Sequence, residues 1–166
     1  MKNRNLLLAL PALMLATSTF AGDYPEVKAG LWSTTATNAD ARMPPQSGTM
    51  CTSNDVIKAL ADMQKGKNLP CKVLSRTQSG STYTSETECS FGGTVRKTTS
   101  VTTATSDTAL HTEIHGSDGA LVMTNDMKYV GACPAGMVPG DFTGANGMHY
   151  NVLHAGAAPG APVPPH

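Results

Sequence analysis

Cys71-Lys-Val-Leu-Ser-Arg-Thr-Gln-Ser-Gly80-Ser-Thr-Tyr-Thr-Ser-Glu-Thr-Glu-Cys89 is bounded by cysteines and has a glycine at its centre. The stretch reads as a β-hairpin. A turn over Ser79, Gly80 and Ser81 puts Cys71 directly opposite Cys89, close enough for a disulfide. The same register sets Lys72 against Glu88 and Arg76 diagonal to Glu86 on one face, with Val73, Thr87 and Tyr83 on the cysteine face. Charge collects on one side of the hairpin.

C-terminal to it, residues 94–105, 108–115 and 120–130 are runs rich in threonine, valine and other strand formers. A two-residue turn at Asp118-Gly119 places Ile114 opposite Met123 and Leu110 opposite Met127. A two-residue turn at Ser106-Asp107 places Val101 opposite Thr112 and Thr99 opposite Ile114. Both put apolar residues on one face. At Gly92-Gly93 such a turn would send Cys89 and Phe91 away from Val95 and Val101, so a longer loop or a glycine bulge is expected there.

N-terminal to the hairpin, residues 27–37 are a first strand carrying the only tryptophan, Trp32. Residues 38–50, with Pro44-Pro45 and Gly48, read as a loop. Thr52 or Ser53 then caps a short helix from Ser53 to Gln64, with Asp55 in its first turn and Val56, Ile57, Leu60 and Met63 on one face. From Pro134 to His166 glycine, alanine and proline dominate without periodicity, the composition of a disordered tail.

Residues 1–21 carry Lys2 and Arg4, an apolar run from Leu6 to Ala16, and small residues before Ala21. This is the pattern of a secretory signal peptide cut after Ala21, with an apolar run too short to span a bilayer. The expectation is a periplasmic or secreted protein with no transmembrane segment after cleavage. Residues 22–133 then form one domain and 134–166 its tail. Removing Lys2 and Arg4 leaves 10 basic against 12 acidic side chains, so no basic surface speaks for nucleic acid. All 4 cysteines lie after residue 21, an even count that in an exported chain implies two disulfides. Three pairings are formally open. The hairpin register favours Cys71 with Cys89, leaving Cys51 with Cys133, a long loop whose closure stabilises by roughly 4 kcal/mol.

The Ala29-Gly30-Leu31-Trp32 opening, Cys51 just before a short helix, the Cys71 to Cys89 hairpin and Lys128-Tyr129-Val130-Gly131-Ala132-Cys133 form a specific set. Together they resemble an exported bacterial family known as domain of unknown function number 3617, over roughly residues 27–133. The resemblance implies an envelope location and a compact β domain. It carries no activity, substrate or catalytic residue. Members of that family often have a methionine-rich segment after the first strand, of which Met43-Pro44-Pro45 and Met50 remain here.

Candidate chemistry is sparse. In His111-Thr-Glu-Ile-His115 the two histidines share one strand face about 13 Å apart, too far to share a metal. The register places His111 opposite Asp126 and Glu113 opposite Thr124 on the outer face, as solvated cross-strand partners. Methionine and histidine side chains are soft or borderline ligands for copper, and Met148, His149 and His154 are the first candidates. Met123 and Met127 are expected in the core. Glu86, Glu88 and Glu113 sit beside charged or polar neighbours, which argues against paired acid and base work. No Gly-x-Ser-x-Gly elbow, phosphate loop or dinucleotide fingerprint is present, and cysteines held in disulfides offer no thiol nucleophile.

The expected architecture is mainly β: an antiparallel meander of about six strands, curled or a half-barrel, with one short helix and two disulfides. The expected function is a non-catalytic module, without cofactor, that binds a partner protein or an envelope component. The alternatives are a periplasmic carrier of a small ligand or of copper, and an enzyme of unknown class.

Overall fold

Alternating hydroxylated and apolar residues make strands the dominant element in the computed structural model, which describes residues 24–63 and 70–154. The elements are β1 (Gly30–Asn38), β2 (Gln46–Thr52), α1 (Asn54–Met63), β3 (Cys71–Ser79), β4 (Thr82–Phe91), β5 (Thr94–Ser106), β6 (Ala109–Gly116), β7 (Leu121–Gly131), β8 (Asp141–Gly144) and β9 (His149–Asn151). They form one antiparallel sheet in the order β3-β4-β5-β6-β7-β1-β2-β8-β9. The expected six strands are thus nine among the described residues. The sheet is not closed, and β3 and β9 are its edges. Residues 1–21, Gln64 and the end of the tail lie outside the described residues.

The added strands have physical reasons. Pro44-Pro45 stops short of β2 and leaves it free to pair with β1 and β8. Gly48 belongs in a strand here because a Cβ there would come within 2.5 Å of the Phe142 ring. In the stretch expected as a disordered tail, β8 and β9 are four and three residues long, too short for any periodicity. Position-specific bonds hold them instead: the Gly140 N–H donates to the Cys51 carbonyl (2.8 Å), and the buried Asn151 amide donates to Asp141 Oδ1 (2.9 Å).

Turns set which face each side chain takes. The central hairpin turns on two residues, Gly80-Ser81, and Leu74 is inserted as a bulge between Val73 and Ser75. That extra residue lets a tight turn coexist with Cys71 opposite Cys89. It also corrects the faces: Arg76 pairs with Ser85 on the side of Tyr83 and the cysteines, away from Glu86. At Gly92-Gly93 neither the expected longer loop nor a glycine bulge forms. Both glycines take positive φ (56° and 81°), which closes a two-residue turn with Phe91 opposite Thr94. The following turn falls at Asp107-Thr108 with a bulge near Thr105, so Val101 faces Glu113 and Thr102 faces Thr112. Val95 and Val101 consequently leave the core face, and Val95 is exposed. Between β6 and β7 the pairs Ile114 with Met123 and Leu110 with Met127 stand as the sequence predicts.

The core lies on the inner face. Trp32, fully buried at the centre of the sheet, packs with Val27 and Leu110, and Ile57, Ala104, Met127 and Tyr129 close around them. Tyr129 meets Trp32 edge-on with ring centroids 6.1 Å apart. The indole N–H donates to the Lys28 carbonyl (2.8 Å), and the Val27 N–H donates to Asn54 Oδ1 (2.8 Å), tying the entering chain to α1. Ser53 Oγ accepts from the Val56 N–H (3.4 Å) as the N-cap. The helix buries Val56 and Ala61, while Met63 is exposed instead of completing the apolar face.

Two disulfides are present, Cys71–Cys89 and Cys51–Cys133. Cys133 follows the end of β7 and Cys51 is on β2, with β1 between those strands. The second disulfide therefore spans the start of β1. Gly30 makes room for that crossing: a Cβ there would lie 2.3 Å from the Gly131 carbonyl oxygen.

Candidate functional site

Strand alternation gives the opposite, outer face of β3–β7 a mainly hydroxylated surface, with Val95 and Leu121 exposed among the polar groups. One cross-strand row runs Ser79, Thr82, Thr103, His111, Asp126 and Thr35; the next runs Thr77, Thr84, Val101, Glu113 and Thr124. Hydroxyls therefore frame a short central line of ionisable groups. At one end of the face Glu88 sits between Lys72 (2.8 Å) and Lys97 (3.6 Å). The hydrogen bond from Lys72 leads in holding the Glu88 carboxyl below its ordinary range.

The central line is the most organised polar arrangement on this face. His111 Nδ1 lies 2.8 Å from Asp126 Oδ1 across the strands, and His111 Nε2 lies 3.7 Å from Glu113 Oε1 along its own strand. His115 Nε2 is 3.1 Å from the other oxygen of Glu113, and His115 Nδ1 is 3.2 Å from the Gly119 carbonyl. One carboxylate is thus shared by two imidazoles. Asp126, and then the surrounding negative charge, raises the His111 pKa above the ordinary histidine value against a desolvation penalty from burial. The side chains of His111, Glu113 and Asp126 stay 41%, 45% and 53% exposed. The pair of His111 with Asp126 is readable from register. The contact of Glu113 with His115 has a signal too, two residues apart on one strand face.

Metal candidates are placed differently. Met148 is exposed in the turn before β9, His149 Nδ1 contacts Thr143 Oγ1 (3.0 Å), and His154 follows β9. Among the described residues no group of three or more His, Cys, Asp or Glu is arranged to hold a metal ion. Nor is any helix among them long and apolar enough to cross a membrane.

The inner face beyond the core carries an open depression lined by Tyr24, Pro25, Arg76, Tyr83, Thr84, Ser85 and Thr102. The Arg76 guanidinium stacks 4.6 Å from the Tyr24 ring centroid, and Gln78 donates to the Tyr83 hydroxyl (3.1 Å). The Leu74 bulge and the tight turn put Arg76 there.

Both sheet edges are blunted. β3 is interrupted by its bulge and carries Lys72, and β9 is three residues long. What remains open is face, not edge.

Residues 27–133 match the family described as protein of unknown function (DUF3617). The chain belongs to the DUF3617 family. The DUF3617 match runs from the buried Val27 to Cys133 and takes in β1–β7, both disulfides and the His111 to Asp126 line. The sheet of this DUF3617 protein continues past the matched residues into β8 and β9. Searches of curated proteins and of solved structures gave no match.

Proposed function

We propose that this protein is an exported, non-catalytic module that binds a partner protein or an envelope component through the outer face of β3–β7. One observation carries the reading. The Trp32 cluster with Ile57 of α1 fills the inner face around β1, β6 and β7, the inner face at β4 keeps only the Tyr24, Arg76 and Tyr83 depression, and both edges are blunted, while His111, Glu113 and Asp126 on the outer face remain about half exposed. Export is supported by the pattern of residues 1–21, and two disulfides fit an oxidising compartment.

Lysine substitutions at Thr103 and Thr124 on the outer face test the reading against Gln78→Lys on the inner face. Binding to an isolated envelope fraction should fall with the first pair and persist with the second. Equal binding by all variants, or loss only with the inner substitution, refutes an outer-face interaction. Amino-terminal sequencing of the exported protein should begin at Gly22.

A second reading, a carrier of a small ligand, rests on the Tyr24, Arg76 and Tyr83 depression. It requires affinity that the inner-face Gln78→Lys variant loses. The same substitution thus separates the two.

A further inference from the structure

The hydrogen-bond chemistry of the outer-face line constrains where its protons are. The Gly119 carbonyl only accepts, so His115 Nδ1 must carry a hydrogen, and the ionised Asp126 oxygen imposes the same on His111 Nδ1. A neutral ring then has a lone pair on Nε2. Both Nε2 atoms point at Glu113, which when ionised also only accepts. With neutral rings the line holds lone pair against lone pair at 3.1 Å and 3.7 Å; with a second proton on each ring, the 3.1 Å contact becomes a charge-assisted hydrogen bond and the 3.7 Å contact an ion pair.

No other charge settles the matter. Across from these residues, β5 presents Thr103, Val101 and Thr99, and β7 presents Asp126, Thr124 and Leu121. Further out stand Glu86 on β4 opposite Thr99, Lys128 two residues along β7 from Asp126, and Asp118 in the turn after β6. No lysine or arginine is paired with Glu113 or Asp126 among the described residues.

We infer that Asp126, His111, Glu113 and His115 form a proton-responsive switch, in which protonating the two imidazoles converts a line of two uncompensated carboxylates into a neutral, mutually bonded one. The raised pKa of His111 agrees with this. The switch gives the proposed binding face its regulation and rests on that reading for its use, but its test involves the rings alone.

The test is a nitrogen-detected NMR titration of the ring nitrogens in the 15N-labelled full chain between about pH 5 and 9. In the neutral form both rings should be the Nδ1–H tautomer. The His111 midpoint should fall in Asp126→Asn and fall in Glu113→Gln. Neutral rings protonated on Nε2, or a His111 midpoint identical in all three proteins, would overturn the inference. The tautomer is read on the unmodified protein, so the outcome does not depend on a variant folding. Loss of envelope binding without a change in the rings would fault the binding reading only.

Discussion

Replacing Cys51 and Cys133 together by alanine should destabilise the protein more than replacing Cys71 and Cys89. The partners are separated by 82 and 18 residues. In the chain-entropy treatment those loops correspond to about 4.5 and about 3 kcal/mol of lost restraint on the unfolded chain. For a domain of this size the larger figure lowers the melting temperature by roughly 15 °C. The native state adds to the difference. The Cys51 carbonyl accepts from Gly140, and that bond docks the segment leading to β8, so freeing Cys133 loosens β8 and β9 as well. Thermal and urea unfolding of the two double variants measures the gap, and amide exchange at Gly140 and Val152 reports the local loosening. Equal destabilisation, or a larger loss from the Cys71 and Cys89 pair, would refute the reasoning, as would an unchanged melt on full reduction.

Gly30→Ala should cost more than about 2 kcal/mol in urea unfolding, because its φ of +147° and its contacts with Gly131 and Tyr129 leave no space for a Cβ. Trp32→Ala should cost about 3–5 kcal/mol in the same assay, since the side chain is fully buried at the centre of the sheet. Deleting Leu74 should preserve the Cys71–Cys89 disulfide, whose register needs no unpaired residue once both flanks are aligned, but should increase self-association by light scattering as β3 becomes a regular edge. The raised His111 pKa stabilises the folded state below the ordinary histidine range, and that contribution disappears as pH rises through the folded-state value. Melting temperature should therefore decline across that window, and His111→Gln should flatten the decline.

The fold was legible where chemistry repeats along the chain. Cysteines at both ends of a hairpin and apolar pairs across Asp118-Gly119 determine register, and the pairs of Cys71 with Cys89 and of Leu110 with Met127 follow. What escaped was any position where one residue shifts the period. Leu74 shifts the faces after it, and the bulge near Thr105 with the turn at Asp107-Thr108 shifts those before it, so Arg76 and Val101 fall on sides that simple alternation denies them. The short strands β8 and β9 escaped for a different reason. Their ladders are only three residue pairs long, and further bonds from Gly140, Ala145 and Asn151 to particular partners fix them, which composition does not encode. At the candidate site, His111 with Asp126 could be read from register and Glu113 with His115 from their two-residue spacing, whereas the approach of His111 Nε2 to the same Glu113 carboxylate required the side-chain rotamers.

The Cys51–Cys133 bond across β1 also has a mechanical meaning. Tension applied between residues 24 and 154 passes through that bond and skips the residues it encloses. At about 3.5 Å per residue, complete extension releases about 50 residues, or on the order of 175 Å, where a reduced chain would release about 450 Å. Pulling strips β1, β2, β8 and β9, and the meander from β3 to β7, with its line of imidazoles and carboxylates, never enters the stretched path.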